Sequence, residues 1–221
     1  MIMNNRSRKS PKLAFACFSM FLLMVGLTFY PIIIPDKVAL VESGLLLPIL
    51  YTIEFFVITP LYVIYFRKLN DMGLGHFSFR QFLVFLFLIL LVQLAGAYIL
   101  GIQKAEPWIV EQKSVRGGLF WLNFLMLVFI VPIYEELVFR GCLLTALLTF
   151  CRGNIYIASL VTSVIFAMLH TQYTDIRALI ILFLVSIILI SVRIISRGVM
   201  MPVLLHMTMN GCVIGLAYYL M

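Results

Sequence analysis

The sequence predicts an all-α protein, a polytopic transmembrane bundle of about seven spans with a site inside it, on three observations. Of its 221 residues 64% are hydrophobic and 11% charged, with a mean hydropathy of +1.14. A soluble domain is about half apolar and about a quarter charged. The apolar residues fall into runs near the ~20 that cross a bilayer core. The few acids and imidazoles inside those runs recur at helical spacing.

Taken in order, the spans are 13–34, 45–66, 82–102, 119–150, 155–170, 178–195 and 199–220. The first follows Arg6-Ser-Arg-Lys-Ser-Pro-Lys12 and imitates a secretory signal. Its apolar run reaches Ile34, well beyond a signal core of about 7–15 residues, so it is expected to remain as a helix. The fourth is about 32 residues, or about 48 Å if wholly helical, against a core of ~30 Å. It must tilt, bend or run into the interface. Three spans fall in 1–118 and four in 119–221, a division into an amino-terminal part and a core.

The net charge of +7 is carried by short basic groups between apolar runs, which encodes topology and argues against a nucleic-acid partner. With the amino terminus inside, Arg6, Arg8, Lys9, Lys12, Arg67, Lys68, Arg80, Arg152, Arg193 and Arg197 face inward. Lys37, Lys104, Lys113, Arg116 and Arg177 face outward. That excess places the amino terminus in the cytoplasm and, with seven spans, the carboxyl terminus outside. Between spans, Asn70, Asp71, Gly73 and Gly75 read as a turn, and Glu106-Pro107-Trp108 as an interfacial anchor. Cys17, Cys142, Cys151 and Cys212 stand singly and read as small buried hydrophobes.

Val131 to Gly141, VPIYEELVFRG, puts two carboxylates and a guanidinium into an apolar run. Each costs at least about 2.5 kcal/mol at mid-bilayer, so the three demand pairing, water or a function. Glu136 and Arg140 are four apart and share a helix face. Glu135 is left without that partner, as a carboxylate suited to taking a proton from water. A buried ion pair holding helices together would account for Glu136 but not for Glu135.

His170 ends the fifth run. The turn Cys151-Arg-Gly-Asn154 lies about midway between the glutamates and His170, so an antiparallel hairpin returns the imidazole to their level. His206 and Asn210, four apart in the last span, present two hydrogen-bond donors side by side, the equipment for stabilising an oxyanion. The alternative is metal ligation by His170, His206 and Glu135; the chain has no H-E-x-x-H, and asparagine is a weak zinc ligand. The expectation is no cofactor, with zinc as the alternative. One detail resists the assembly, since straight helices would set His170 and His206 at different depths. Gly198 and Pro202 could bend the seventh span, or the fourth could end early with 141–152 in the interface. Glu54 is the remaining intramembrane acid, lining the same cavity or bonding a neighbouring helix.

The ordered set Glu135-Glu136-x-x-x-Arg140, Phe166-x-x-x-His170 and His206-x-x-x-Asn210 resembles the CPBP family of intramembrane proteases. That family is also called the CAAX-protease and bacteriocin-processing, or Abi, family. The motifs cover a little under half of the chain; the first hundred residues carry none of them. The resemblance implies an intramembrane glutamic endopeptidase acting on a peptide or protein tail at the membrane. It implies Glu135 and His170 as the pair that activates water, His206 and Asn210 as the oxyanion pair, and Glu136 with Arg140 as their support. The small size and bare loops point to the bacterial branch and a cytoplasmic membrane. Two other readings stand beside it: a non-proteolytic immunity or regulatory scaffold of the same family, and a small transporter relaying protons through Glu54, Glu135 and Glu136. The transporter reading lacks repeat symmetry between halves.

Overall fold

The computed structural model of the chain describes residues 10–33, 37–69, 71–102, 104, 106–114 and 117–220. Seven long helices form: α1 (Pro11–Thr28), α2 (Leu46–Tyr65), α3 (Phe79–Ile99), α4 (Gly118–Phe150), α5 (Ile155–Leu169), α6 (Ile176–Ser196) and α7 (Met200–Leu220). Short helices Lys37–Glu42 and Pro107–Ser114 lie between them, and the described residues contain no strand. Five helices, α1, α2, α3, α4 and α6, are long and apolar enough to cross a membrane; Ile155–Leu169 and Met200–Leu216 are shorter apolar helices. Arg6, Arg8, Lys9 and Arg116, which enter the charge count, lie outside the described residues.

Polar residues set the helix ends. Asn154 caps α5 by accepting from the Tyr156 and Ile157 N–H groups, both at 3.1 Å. Asp175 caps α6 through Arg177 N–H at 2.9 Å, and bonding to the Arg177 guanidinium holds the Asp175 carboxyl below the usual range. The Cys151–Asn154 turn is made by Arg152 (φ 55°) and Gly153 (φ 86°).

α4 is the axis of the bundle. Half of its most apolar stretch is buried, against 6% of α3, whose Phe79, Leu83, Phe87 and Tyr98 face outward. α4 spans 33 residues in one piece, with π turns at Met126–Ile130 and Leu137–Leu143. It does not end early, since Cys142, Leu143 and Ala146 are fully buried. The first π turn has a cause in the sequence. Pro132 has no N–H, and its ring would press on the carbonyl four residues back. The chain widens there, and Val131 N–H bonds Met126 O instead of Leu127 O.

Two apolar clusters flank α4. Cys17, Phe21 and Met24 of α1 and Ile58 and Tyr62 of α2 pack on Val138, Phe139, Cys142 and Phe166. On the other side Ile89, Ile181, Leu189, Met201 and Leu205 join α3, α6 and α7. Polar residues of α4, α6 and α7 bridge the two.

The turn between α6 and α7 is roofed by the segment after α2. Val199 and Met200 N–H donate to the Gly73 and Leu74 carbonyls at 3.0 and 3.1 Å, and His76 N–H to Ser196 O at 2.7 Å. Met72 is fully buried and its carbonyl accepts from the Tyr62 hydroxyl at 2.7 Å. The two backbones approach so closely that a Cβ on Gly198 would overlap Leu74 and Gly75. Gly198 therefore serves this contact; it does not bend α7, and Pro202 sits harmlessly in the first turn of α7. Arg193 is 5% exposed, donating to the Arg140 carbonyl at 3.2 Å and to the Asp71 carbonyl, so it is packed into the bundle beside the 67–80 connection.

Candidate active site

Glu135 and Glu136 project from the short α-helical piece between the two π turns of α4. Glu136 is fully buried, and its Oε1 accepts from Arg140 Nη1 at 2.9 Å and from His206 Nδ1 at 2.8 Å. Arg140, equally buried, also donates from Nη2 to Ser186 Oγ at 3.0 Å and lies over the Phe166 ring at 4.4 Å. The expected Glu136–Arg140 pair is thus present. Glu135 has an 18% exposed side chain, and its Oε2 lies 3.8 Å from His206 Nε2. Of the two carboxylates, it is the accessible one.

His206 therefore stands between both glutamates, a contact that the sequence did not signal. With Nδ1–H donated to Glu136, Nε2 is the nitrogen left facing Glu135. His170 caps the end of α5, its Nδ1 2.7 Å from the Phe166 carbonyl. Phe166 joins the set: its ring centroid is 4.4 Å from that of His170 and 6.2 Å from that of His206. The two histidines thus meet one ring, because the roofed α6–α7 turn is drawn into the bundle and α5 is only 15 residues long.

Asn210 Nδ2 donates to the Leu127 carbonyl at 2.9 Å. That carbonyl is an orphan made by Pro132: Val131 N–H has gone to Met126, and the next candidate, residue 132, has no N–H. Asn210 fills the vacancy and ties α7 to α4 one turn from His206. A second N–H of the carboxamide remains for another acceptor.

Glu54 lies beside this group, 3% exposed. Its Oε1 accepts from Thr28 Oγ1 at 2.6 Å, and it bonds the Tyr134 hydroxyl, next in sequence to Glu135. Of the two expectations for it, the one seen is bonding to a neighbouring helix, through Thr28 of α1. Among the described residues no three of His, Cys, Asp or Glu are grouped to hold a metal ion. Phe166, Ser186 and Tyr134 were missed as site residues. A signal existed for Ser186, which lies seven residues before Arg193 and so on one face of an otherwise apolar α6.

The fold and site define a polytopic helical membrane protein with a buried Glu/His/Asn cluster at the meeting of four helices. Residues 117–212, which carry all three motifs, match the family described as type II CAAX prenyl endopeptidase Rce1-like. The match agrees with the resemblance that the motifs carry. A 118-residue stretch is 34% identical to an Escherichia coli protein described as an uncharacterized 24.3 kDa protein, covering 51% of this chain and 54% of that one. The chain thus spans about half the length of the curated relative it matches. No solved structure matches.

Proposed function

We propose that the protein is an intramembrane endopeptidase that hydrolyses a peptide or protein tail at the membrane, with water activated by Glu135 and His170. The observation that supports this most directly is the seating of His206 between Glu135 and Glu136, with Phe166 bringing His170 to the same place.

Glu135 is accessible and without a cation of its own, so it takes the proton of a water placed between it and the His170 ring. The hydroxide attacks the scissile carbonyl carbon, and the oxyanion forms toward the free N–H of Asn210 and toward His206, which donates from Nε2 in its doubly protonated form while Nδ1–H stays on Glu136. The proton held on Glu135 passes to the leaving amine as the carbon–nitrogen bond breaks. Glu136 and Arg140 hold the His206 ring in register through Nδ1. The family description favours a carboxyl-terminal tail as substrate. The reading needs no metal and places the protein in a bacterial cytoplasmic membrane.

Glu135→Gln and His170→Ala are expected to lower cleavage by at least about 100-fold at normal protein abundance. The measurement is a proteomic comparison of membranes carrying wild type and Glu135→Gln, seeking a shortened peptide or tail present only with wild type. An immunity or signalling phenotype that survives Glu135→Gln at normal abundance would establish the scaffold reading instead. Stoichiometric zinc in the purified protein, lost on His170→Ala, would replace the carboxylate mechanism with a metal one.

A further inference from the structure

The segment preceding α4 grips the loop that follows His170. Glu106 is 7% exposed, and its carboxylate accepts from the Thr174 N–H at 2.9 Å, the Thr174 hydroxyl at 3.1 Å and the Asp175 N–H at 3.2 Å. Three donors on one buried carboxylate fix a loop in both position and rotation. Two residues on, the Trp108 ring meets Tyr173 edge-on at 5.5 Å, and Tyr173 lies 6.1 Å from His170. Tyr173 N–H also donates to the His170 carbonyl at 3.0 Å. Arg177 closes the far side, donating to the Leu100 and Gly101 carbonyls at the end of α3 while paired with Asp175.

His170 needs support from outside its helix. It caps α5 with ψ 60°, so no further helical turn holds its backbone. Among the described residues its ring has one hydrogen bond, Nδ1 to the Phe166 carbonyl, and rests on Phe166 and Tyr173. The course of residues 170–175 therefore sets where Nε2 lies, and Glu106 sets that course.

We propose that Glu106 is a positioning residue for His170: it clasps the loop through Thr174 and Asp175, keeping the imidazole on Phe166 beside His206. Glu106 and Trp108 lie outside the residues that match the peptidase family, so this places part of the working site in the amino-terminal half. The effect on turnover rests on the peptidase reading; the placement of the ring does not.

The test uses the full chain in liposomes, as wild type, Glu106→Gln and Thr174→Ala. Diethyl pyrocarbonate labels accessible imidazoles, and mass spectrometry reads His170 against exposed His76 in the same molecule. In Glu106→Gln the His170-to-His76 ratio is expected to rise about tenfold, the size of one charge-assisted hydrogen bond lost. Thr174→Ala, which removes only the hydroxyl donor, should give a smaller rise and decides the matter if Glu106→Gln does not accumulate. With the peptide found in the membrane comparison, kcat is expected to fall about 100-fold with KM unchanged, as a displaced catalytic group requires. An unchanged labelling ratio in the accumulating variants overturns the proposal, as does a raised ratio with unchanged kcat. A raised ratio in a protein whose wild type cleaves nothing leaves the clasp standing and removes the peptidase reading alone.

Discussion

At Glu136 a single carboxylate oxygen accepts from both Arg140 and His206, so two donors share one anion inside the bundle. Removing one member of such a group leaves the others charged and dry, which costs about 3–5 kcal/mol. Arg140→Ala is therefore expected to lower stability by about that amount, read as reduced abundance and a lower melting temperature in detergent. Arg140 also lies over Phe166, the ring on which His170 rests, so the loss reaches the site as well as the core. The helical spacing rule found this pair from sequence. It could not find His206 as the third member, because that contact joins residues 70 apart.

At the scale of an element, α4 carries the site because it is irregular. Pro132 widens the turn before it, which frees the Leu127 carbonyl for Asn210 and leaves Glu135 and Glu136 on a short regular piece. Pro132→Ala restores an N–H and lets the turn tighten, returning a backbone partner to that stretch. The expected outcome is a folded protein with cleavage reduced by about 100-fold, through a displacement of Asn210 and His206 relative to Glu135. Steady-state kinetics with a melting curve of equal midpoint would check it; unchanged turnover would remove Pro132 from the account. The excess length of α4 was visible from sequence, with tilt, a bend or a run into the interface as the expected outlets. The two π turns within it were not. A Cβ on Gly141 would stand 2.5 Å from the Tyr62 hydroxyl, so the glycine is what lets α2 lie against α4.

At the scale of the whole molecule, the segment after α2 and the α6–α7 turn close one end of the bundle against each other. Gly198→Ala would force the two backbones apart, and overpacking of this kind costs about 1–3 kcal/mol. The expected result is a lower melting temperature together with faster proteolysis between residues 67 and 78, compared with wild type by limited digestion. Beyond that closed end, His206 and His170 meet the same Phe166 ring. Sequence reasoning placed that turn at the membrane surface, and so found the two histidines at different levels. It had no means of seeing that residues 72–76 fold back over the turn, because the hydrogen bonds that do so are backbone to backbone and carry no side-chain signature.

The sequence by itself determined the class of protein, the seven helices to within a few residues, the Glu136–Arg140 pair and the set of residues worth suspecting. These follow from local quantities: hydropathy over about 20 residues, and side-chain spacing along one helix. The tertiary structure alone decided which of those residues meet, that His206 stands between the two glutamates, that Pro132 gives Asn210 its partner, and that Glu106 holds the loop after His170. Those outcomes depend on contacts between helices, whose register is set by the packing of whole side-chain faces, and a one-dimensional pattern does not encode it.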